Sequence, residues 1–260
     1  MRLTDQIAVV TGAGSGIGKA IALGMAKEGA DIVIADINEK TGKEVGEEVA
    51  SLGRKSLVIP ADVGREPDVV EMVGKTVDRF GKIDILVNNA GIILPRKMIE
   101  TTVEEWDRIL TNNLRSCFLC TREVAKSMIE NEVRGKIVNI SSIHARLSEP
   151  NACAYTAAKG GMEAFARTCA TELAPHKIRV NTIEPGATYT ELTIPMYTES
   201  VKASLYQRIP MKEIARPEWI AGVAVFLASD ESRYITGEVI TVDGGYVMDG
   251  SLPGAAYWEE

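Results

Sequence analysis

The sequence predicts an α/β fold: a single doubly wound domain whose seven-stranded parallel sheet carries helices on both faces. Three observations predict it. β-Branched runs alternate with stretches of helical periodicity from end to end, the pattern of β–α units joined by right-handed crossovers. The runs are apolar throughout, as strands covered on both faces are. No internal repeat or low-complexity linker divides the chain, so residues 1–260 read as one domain.

The first strand, Ile7–Thr11, stops at Thr11-Gly-Ala-Gly-Ser-Gly-Ile-Gly18, where a helix over 17–29 begins. Gly12, Gly16 and Gly18 permit a tight turn and close backbone approach. With Ser15 and Ile17 they lie where free N–H groups and the positive helix end face a pyrophosphate. The spacing departs from Gly-x-Gly-x-x-Gly, whose last position would fall on Ile17. A glycine turn also has purely structural uses; its place between strand and helix favours dinucleotide binding by a Rossmann-type sheet. The second strand, Asp31–Asp36, ends in a carboxylate suited to ribose 2′- and 3′-hydroxyls and hostile to a 2′-phosphate. Asn38 is the better cap for the helix over 38–52. Neither Ser15 nor Ile37 is basic, so NAD is expected over NADP.

Strand Ser56–Pro60 leads to Asp62-Val63, where Asp62 either meets the adenine amino group or serves the turn before a helix over 66–80. Strand Ile83–Asn88 runs into Asn89, Ala90 and Gly91, small residues that let backbone approach a cofactor while the asparagines tie neighbouring strands. A long apolar helix follows over 102–131. Strand Lys136–Ser141 delivers Ser142, and the periodicity of 153–174 puts Tyr155 and Lys159 on one helix face. A phenol ionises at about pH 10, and an ammonium one turn away is expected to draw that value toward the working range. Tyr-x-x-x-Lys alone is also a common surface pair. With Ser142 it suits proton exchange with a carbinol oxygen while hydride leaves or reaches its carbon. Strand Ile178–Ile183 precedes Pro185-Gly186 and a strandless stretch, 188–212, long enough to be a lid over substrate. A helix over 217–228, strand Glu238–Val242 and a tail over 246–260 complete the chain.

A net charge of −7 argues against nucleic acid as a partner, and no apolar run reaches membrane-spanning length, so a cytoplasmic protein is expected. Cys117, Cys120, Cys153 and Cys169 form no disulfide framework. Cys117 and Cys120 have redox-motif spacing but lie in an apolar helix, as packing cysteines do. His144 and His176 have no companions of metal-site spacing, and no metal is expected.

In this order and at these spacings, Thr11–Gly18, Asp62-Val63, Asn88–Gly91, Asn113 before Leu114, Ser142, Tyr155-x-x-x-Lys159 and Pro185-Gly186 resemble the short-chain dehydrogenase/reductase family over residues 4–245. The resemblance implies a catalytic tetrad of Asn113, Ser142, Tyr155 and Lys159. Ser142 would position the substrate oxygen and Tyr155 exchange the proton. Lys159 would lower the tyrosine pKa and hold the nicotinamide ribose. Asn113 would act through its backbone at a helix irregularity, holding a water; Asn112 is its rival. Pro185, Gly186, Thr188 and Thr190 would contact the carboxamide.

Several segments, Ser141–His144 among them, are similar to the bacterial glucose 1-dehydrogenase group, which implies substrate contact by His144 beside Ser142 and Tyr155. A lone histidine is otherwise a packing or capping residue. Ile92-Ile93-Leu94 replaces the acidic residue of that group, allowing a less polar or differently shaped substrate. Arg96, Glu149 and Asn151 are candidates for a pocket rim or for plain surface. The family also pairs the helices over 102–131 and 153–174 between subunits, implying a homotetramer, and Phe118, Leu119, Met128, Met162, Phe165 and Leu173 make both helices apolar. The aromatic tail, Tyr257-Trp258, is expected to dock on a neighbouring subunit.

The leading expectation is an NAD-dependent oxidoreductase acting on a secondary alcohol or lactol carbon of a sugar or polyol. The alternative is a ketone reductase of the 3-oxoacyl carrier-protein type, disfavoured here by the lack of a base near Ser15 and Ile37. A dinucleotide sensor without turnover would have no use for Asn113, Ser142, Tyr155 and Lys159 together.

Overall fold

The computed structural model describes residues 1–249. Its seven parallel strands are β1 (Ile7–Thr11), β2 (Asp31–Asp36), β3 (Ser56–Pro60), β4 (Ile85–Asn88), β5 (Lys136–Ile140), β6 (Arg179–Pro185) and β7 (Val239–Val242). They lie in the order β3-β2-β1-β4-β5-β6-β7. The order reverses between β1 and β4, which opens a crevice at their carboxyl ends, the place where such sheets bind ligands.

Eight α-helices were found among the described residues: α1 (Gly16–Lys27), α2 (Glu39–Ser51), α3 (Glu66–Phe80), α4 (Val103–Leu110), α5 (Ser116–Glu130), α6 (Cys153–Leu173), α7 (Glu199–Arg208) and α8 (Pro217–Ala228). Successive strand residues feed opposite layers. Val10, Ile34, Ile85 and Val87 pack with Ile21 and Met25 of α1 and Leu227 of α8. Val9, Val33, Leu86 and Ile137 pack with Met72 of α3, Met128 of α5 and Ala166 of α6. Two dry layers explain why the strands carry no polar alternation, and each fully buried Ile, Leu or Met contributes about 1.5–3 kcal/mol.

Local chemistry sets the boundaries. β4 begins at Ile85, not Ile83, because the Asp84 carboxylate accepts from Ile7 N at 2.8 Å and pairs with Lys82 at 3.0 Å. Asn38 caps α2 by accepting from Lys40 N and Thr41 N, and Thr102 forms a capping box with Glu105 at α4. Glu66 and Pro67 open α3, and Gly81, at φ 81°, closes it.

Two segments differ from expectation. The run over 102–131 is two helices joined by a π turn, Thr111–Arg115. Residues 188–212, expected to be strandless, also contain a helix not foreseen there, α7, which buries none of its residues and so carries no apolar stripe. Of the apolar residues on α5 and α6, Leu119, Met128 and Met162 are core, whereas Phe118 is 41% exposed. The tail residues Tyr257 and Trp258 lie outside the described residues. Among the described residues no helix is long and apolar enough to cross a membrane, and no acidic, His or Cys group could hold a metal.

Candidate active site

At the carboxyl end of β1 the chain turns through Gly12 at φ 62° and Gly16 at φ 53°. A Cβ on Gly12 would stand 2.9 Å from Ala90 Cα, and one on Gly18 would run into the Gly12 carbonyl. Gly18 is therefore needed for packing of turn against helix. Asn89 locks this arrangement from β4 by donating its Nδ2 to Thr11 O at 2.9 Å and Gly12 O at 3.0 Å. Thr11 Oγ1 accepts from Asn89 N and Ala90 N in return. Ser15 precedes α1 without a side-chain cap, and no acidic residue stands in the first turn containing Ile17. The helix end is thus left to an anion.

Asp36 borders this turn. Its Oδ2 accepts from Gly14 N and its Oδ1 from Asn38 N, both at 2.8 Å. Gly14, not singled out in the sequence, is needed because a Cβ there would lie 2.4 Å from Thr41 Oγ1 and 2.9 Å from Asp36 Oδ2. Asp62 serves its own turn, accepting from Gly64 N at 3.0 Å, next to buried Val63. Asn88 donates Nδ2 to Thr121 Oγ1 and Asn139 Oδ1, tying β4 to α5 and β5. Glycine at 91 leaves space a Cβ would fill at 2.4 Å from Asn113 Oδ1.

Asn113 is fully buried within the π turn. Its Nδ2 donates to Ile92 O and Ile109 O, both at 2.9 Å, while its Oδ1 is buried with no protein partner. Asn112 instead bonds within its own helix, donating to Arg108 O and accepting from Ser116 Oγ.

Ser142, buried at the end of β5, accepts from His144 N at 3.2 Å, and its hydroxyl favours ionisation of the neighbouring Tyr155 phenol. Lys159 is 4% exposed; its Nζ donates to Ile140 O at 2.7 Å and lies 5.6 Å from the centre of the Tyr155 ring. The structure corrects the expected electrostatics. Burial raises the Tyr155 pKa, the Ser142 bond opposes that rise, and nearby Tyr197 adds to it. Burial also lowers Lys159 to about 8, against the opposing influence of Cys117 and Glu163. The ammonium sits by the ring and binds a carbonyl instead of the phenol oxygen, and it is itself desolvated. Its desolvation works against the expected pull.

His144 stands 3.6 Å from Glu149 through Nε2, and burial lowers its pKa. Arg96 is engaged with Glu105 at 2.8 Å, and its N–H donates to Asn151 O. The loop after β6 crosses toward the glycine turn. Pro185 ends the strand, Gly186 approaches Asp243 too closely for a side chain, and Thr190 would touch a Cβ at Gly16 at 3.3 Å. Thr188 Oγ1 donates to Gly186 O and Thr190 Oγ1 pairs with Thr193 Oγ1, so both hydroxyls are engaged within the loop. Tyr197, missed in the sequence, accepts from Thr188 N. Apolar Ile92, Leu94, Leu110 and Leu114 pack, as Tyr155 does, against a small cluster of Ile109, Ala154 and Ala158. Cys117 and Cys120 are buried, and burial pushes the Cys117 thiol up to about 12.

A family described as enoyl-(acyl carrier protein) reductase matches residues 12–247. The chain is 38% identical to a 3-oxoacyl-[acyl-carrier-protein] reductase of Synechocystis sp., over 95% of this chain and 98% of the relative. The structure is similar to that of the 3-ketoacyl-(acyl-carrier-protein) reductase of Brucella melitensis complexed with NADH, at 36% identity and TM-score 0.87, covering 94% of this chain and 99% of that one. A candidate gluconate dehydrogenase from Agrobacterium tumefaciens is similar at 36% identity and TM-score 0.91, with 95% and 98% covered.

Proposed function

The chain belongs to the short-chain dehydrogenase/reductase family of oxidoreductases, and from that premise we propose that it reduces a ketone of 3-oxoacyl type with NADH. The observation that carries the reading is the Tyr155 phenol, near Ser142 and with buried Lys159 5.6 Å from the centre of its ring, whose protonated form burial favours. A protonated phenol is a donor, which suits reduction of a carbonyl better than oxidation of an alcohol. The apolar set Ile92, Leu94, Leu110 and Leu114, packed on the same cluster as Tyr155, supports an acyl chain over a sugar. Leu192 and Ile194 of the 188–212 segment, 52% and 57% exposed, would cover such a chain as a lid.

The glycine cradle fits a dinucleotide. Gly12, Ser15, Gly16, Ile17 and Gly18 would hold its pyrophosphate, Asp36 its ribose hydroxyls, and Asp62-Val63 the adenine. Asn89, Ala90 and Gly91 would line its path, with Pro185, Gly186, Thr188 and Thr190 at the nicotinamide end. When bound, the nicotinamide supplies the hydride. Tyr155 gives its proton to the carbonyl oxygen, Ser142 donates a hydrogen bond to the same oxygen, and Lys159 holds the ribose. Asn113 would hold, through its backbone, a water linking Lys159 to solvent. His144 lies next to Ser142, where it would touch substrate. The relative complexed with NADH reconciles an acidic Asp36 with ketone reduction.

A second reading, oxidation of a sugar acid or polyol, draws on the gluconate dehydrogenase likeness. Exposed Trp106 and Phe118 on α4 and α5 support pairing with further copies, and a homotetramer is the assembly proposed. The test follows reduced-nicotinamide absorbance with a 3-oxoacyl thioester, simple ketones, gluconate and glucose, using NADH and NADPH. Turnover of the thioester with NADH is expected; turnover of gluconate or glucose alone would transfer the assignment to the second reading. NADH binding without any turnover would leave a sensor.

A further inference from the structure

Behind the reacting groups lies a cluster of ionisable side chains that no step above uses. Glu184 points from β6 into the layer under α6 and is fully buried. It is bound by Arg146 through Nε at 3.0 Å and through a second, short contact from Nη2, and by Thr241 Oγ1 of β7 at 2.8 Å. Glu163, one turn after Lys159 on α6, is 6% exposed. Its Oε1 accepts from Ser141 Oγ at 2.8 Å, and its carboxyl lies within hydrogen-bonding reach of Glu184. The charged groups facing Glu163 are Glu184 from β6, Arg146 from the loop after β5 and Lys159 from its own helix; Asp243, after β7, acts on Arg146.

Two carboxyls in contact repel if both are ionised; of the two, Arg146 bonds only Glu184, and the Lys159 ammonium is bonded to Ile140 O, so burial makes a second charge on Glu163 costly. A proton kept on Glu163 removes it. The Glu163 O–H then donates to Glu184, and its other oxygen accepts from Ser141.

We propose that Glu163 is a positioning residue for the reaction assigned above: it shares a proton with Glu184 and, through Ser141, holds the Ser142 hydroxyl in register with Tyr155 and Lys159. Ser141 is the residue next to Ser142, so the bond to Glu163 fastens the end of β5 to the helix that presents Tyr155. Arg146 and Thr241 fasten Glu184 in turn, joining the loop that follows Ser142 to β6 and β7. The raised Glu163 pKa, about 7 through burial first and the Glu184 contact second, agrees with a retained proton.

Glu163→Gln preserves an N–H donor toward Glu184 and an acceptor toward Ser141, whereas Glu163→Ala preserves neither. Two readouts, one independent of turnover, separate this inference from the proposed activity. The first is phenolate absorbance of Tyr155, taken as the difference from a Tyr155→Phe background. Glu163→Ala frees Ser142 and moves the Tyr155 ionisation to higher pH by about one unit, while Glu163→Gln leaves it in place. The second is the pH profile of kcat with NADH and whichever substrate the panel identifies. Glu163→Ala lowers kcat about tenfold with little change in KM for NADH, and Glu163→Gln keeps kcat and flattens its decline above about pH 7. Equal behaviour of the Gln and Ala variants in the phenolate titration, or a wild-type titration in both, overturns the proposal whatever the substrate is.

Discussion

Replacing Asp36 tests the cofactor assignment, and the structure gives the size of the effect. Each carboxylate oxygen already accepts one backbone N–H, from Gly14 and from Asn38. One acceptor direction per oxygen remains for a ribose hydroxyl. Hydrogen bonds to a charged acceptor contribute ~1.5–3 kcal/mol each, and the half-buried setting of Asp36 places these near the lower end. Two such bonds amount to about 3 kcal/mol, so Asp36→Ala is expected to lower kcat/KM for NADH about 100-fold. The same change removes the repulsion of a 2′-phosphate. Ile37 is 75% exposed, so adding Ile37→Arg places a cation beside that phosphate and should favour NADPH several-fold more. Asp36→Asn is no neutral isostere here: its amide must face either Gly14 N or Asn38 N, and both are donors. The assay is kcat/KM with each nucleotide, together with Tm to detect collapse of the glycine turn. An unchanged NADH:NADPH ratio in Asp36→Ala, with the turn intact, refutes the ribose contact; an equal loss for both nucleotides assigns Asp36 to the turn alone.

Tyr155→Phe is expected to bind NADH normally and lose about 10²–10⁴ in kcat, checked by nucleotide titration and steady-state rates. Lys159→Met removes a buried ammonium whose pKa burial lowers to about 8, so it should raise Tm while abolishing turnover. The sign follows from linkage: the wild-type ammonium is charged in both states below about pH 8, whereas at higher pH the folded chain releases its proton before the unfolded one. The Tm advantage of the variant is therefore greatest below that pH and shrinks above it in a thermal-melt series. Gly91→Ala would force a methyl to 2.4 Å from Asn113 Oδ1 and should cost about 1–3 kcal/mol in denaturant unfolding, with weaker NADH binding.

The strands and most helix limits were legible because burial on both faces leaves uninterrupted apolar runs, and because Asn38, Thr102 and Gly81 mark ends by their own chemistry. What escaped the sequence depends on neighbours that local patterns do not contain. α7 has no buried side to create periodicity. Gly14 is small because Asp36 and Thr41 arrive from the next unit. Glu163 and Glu184 lie one on the helix that carries Lys159 and the other just past the apolar run Ile178–Ile183, and only the fold places them against each other.

The same reasoning accounts for the tyrosine. A cation one helical turn away lowers a phenol's pKa when water is assumed around both groups. In the folded chain burial acts on both at once, raising the Tyr155 pKa and lowering that of Lys159. The short spacing is therefore not what activates the phenol. Among the described residues the influence that favours its ionisation is the Ser142 hydroxyl, whose position depends on Ser141 and the carboxyls behind it. A reductase can rest in this state, since its first need is a phenol that still carries the proton it will give.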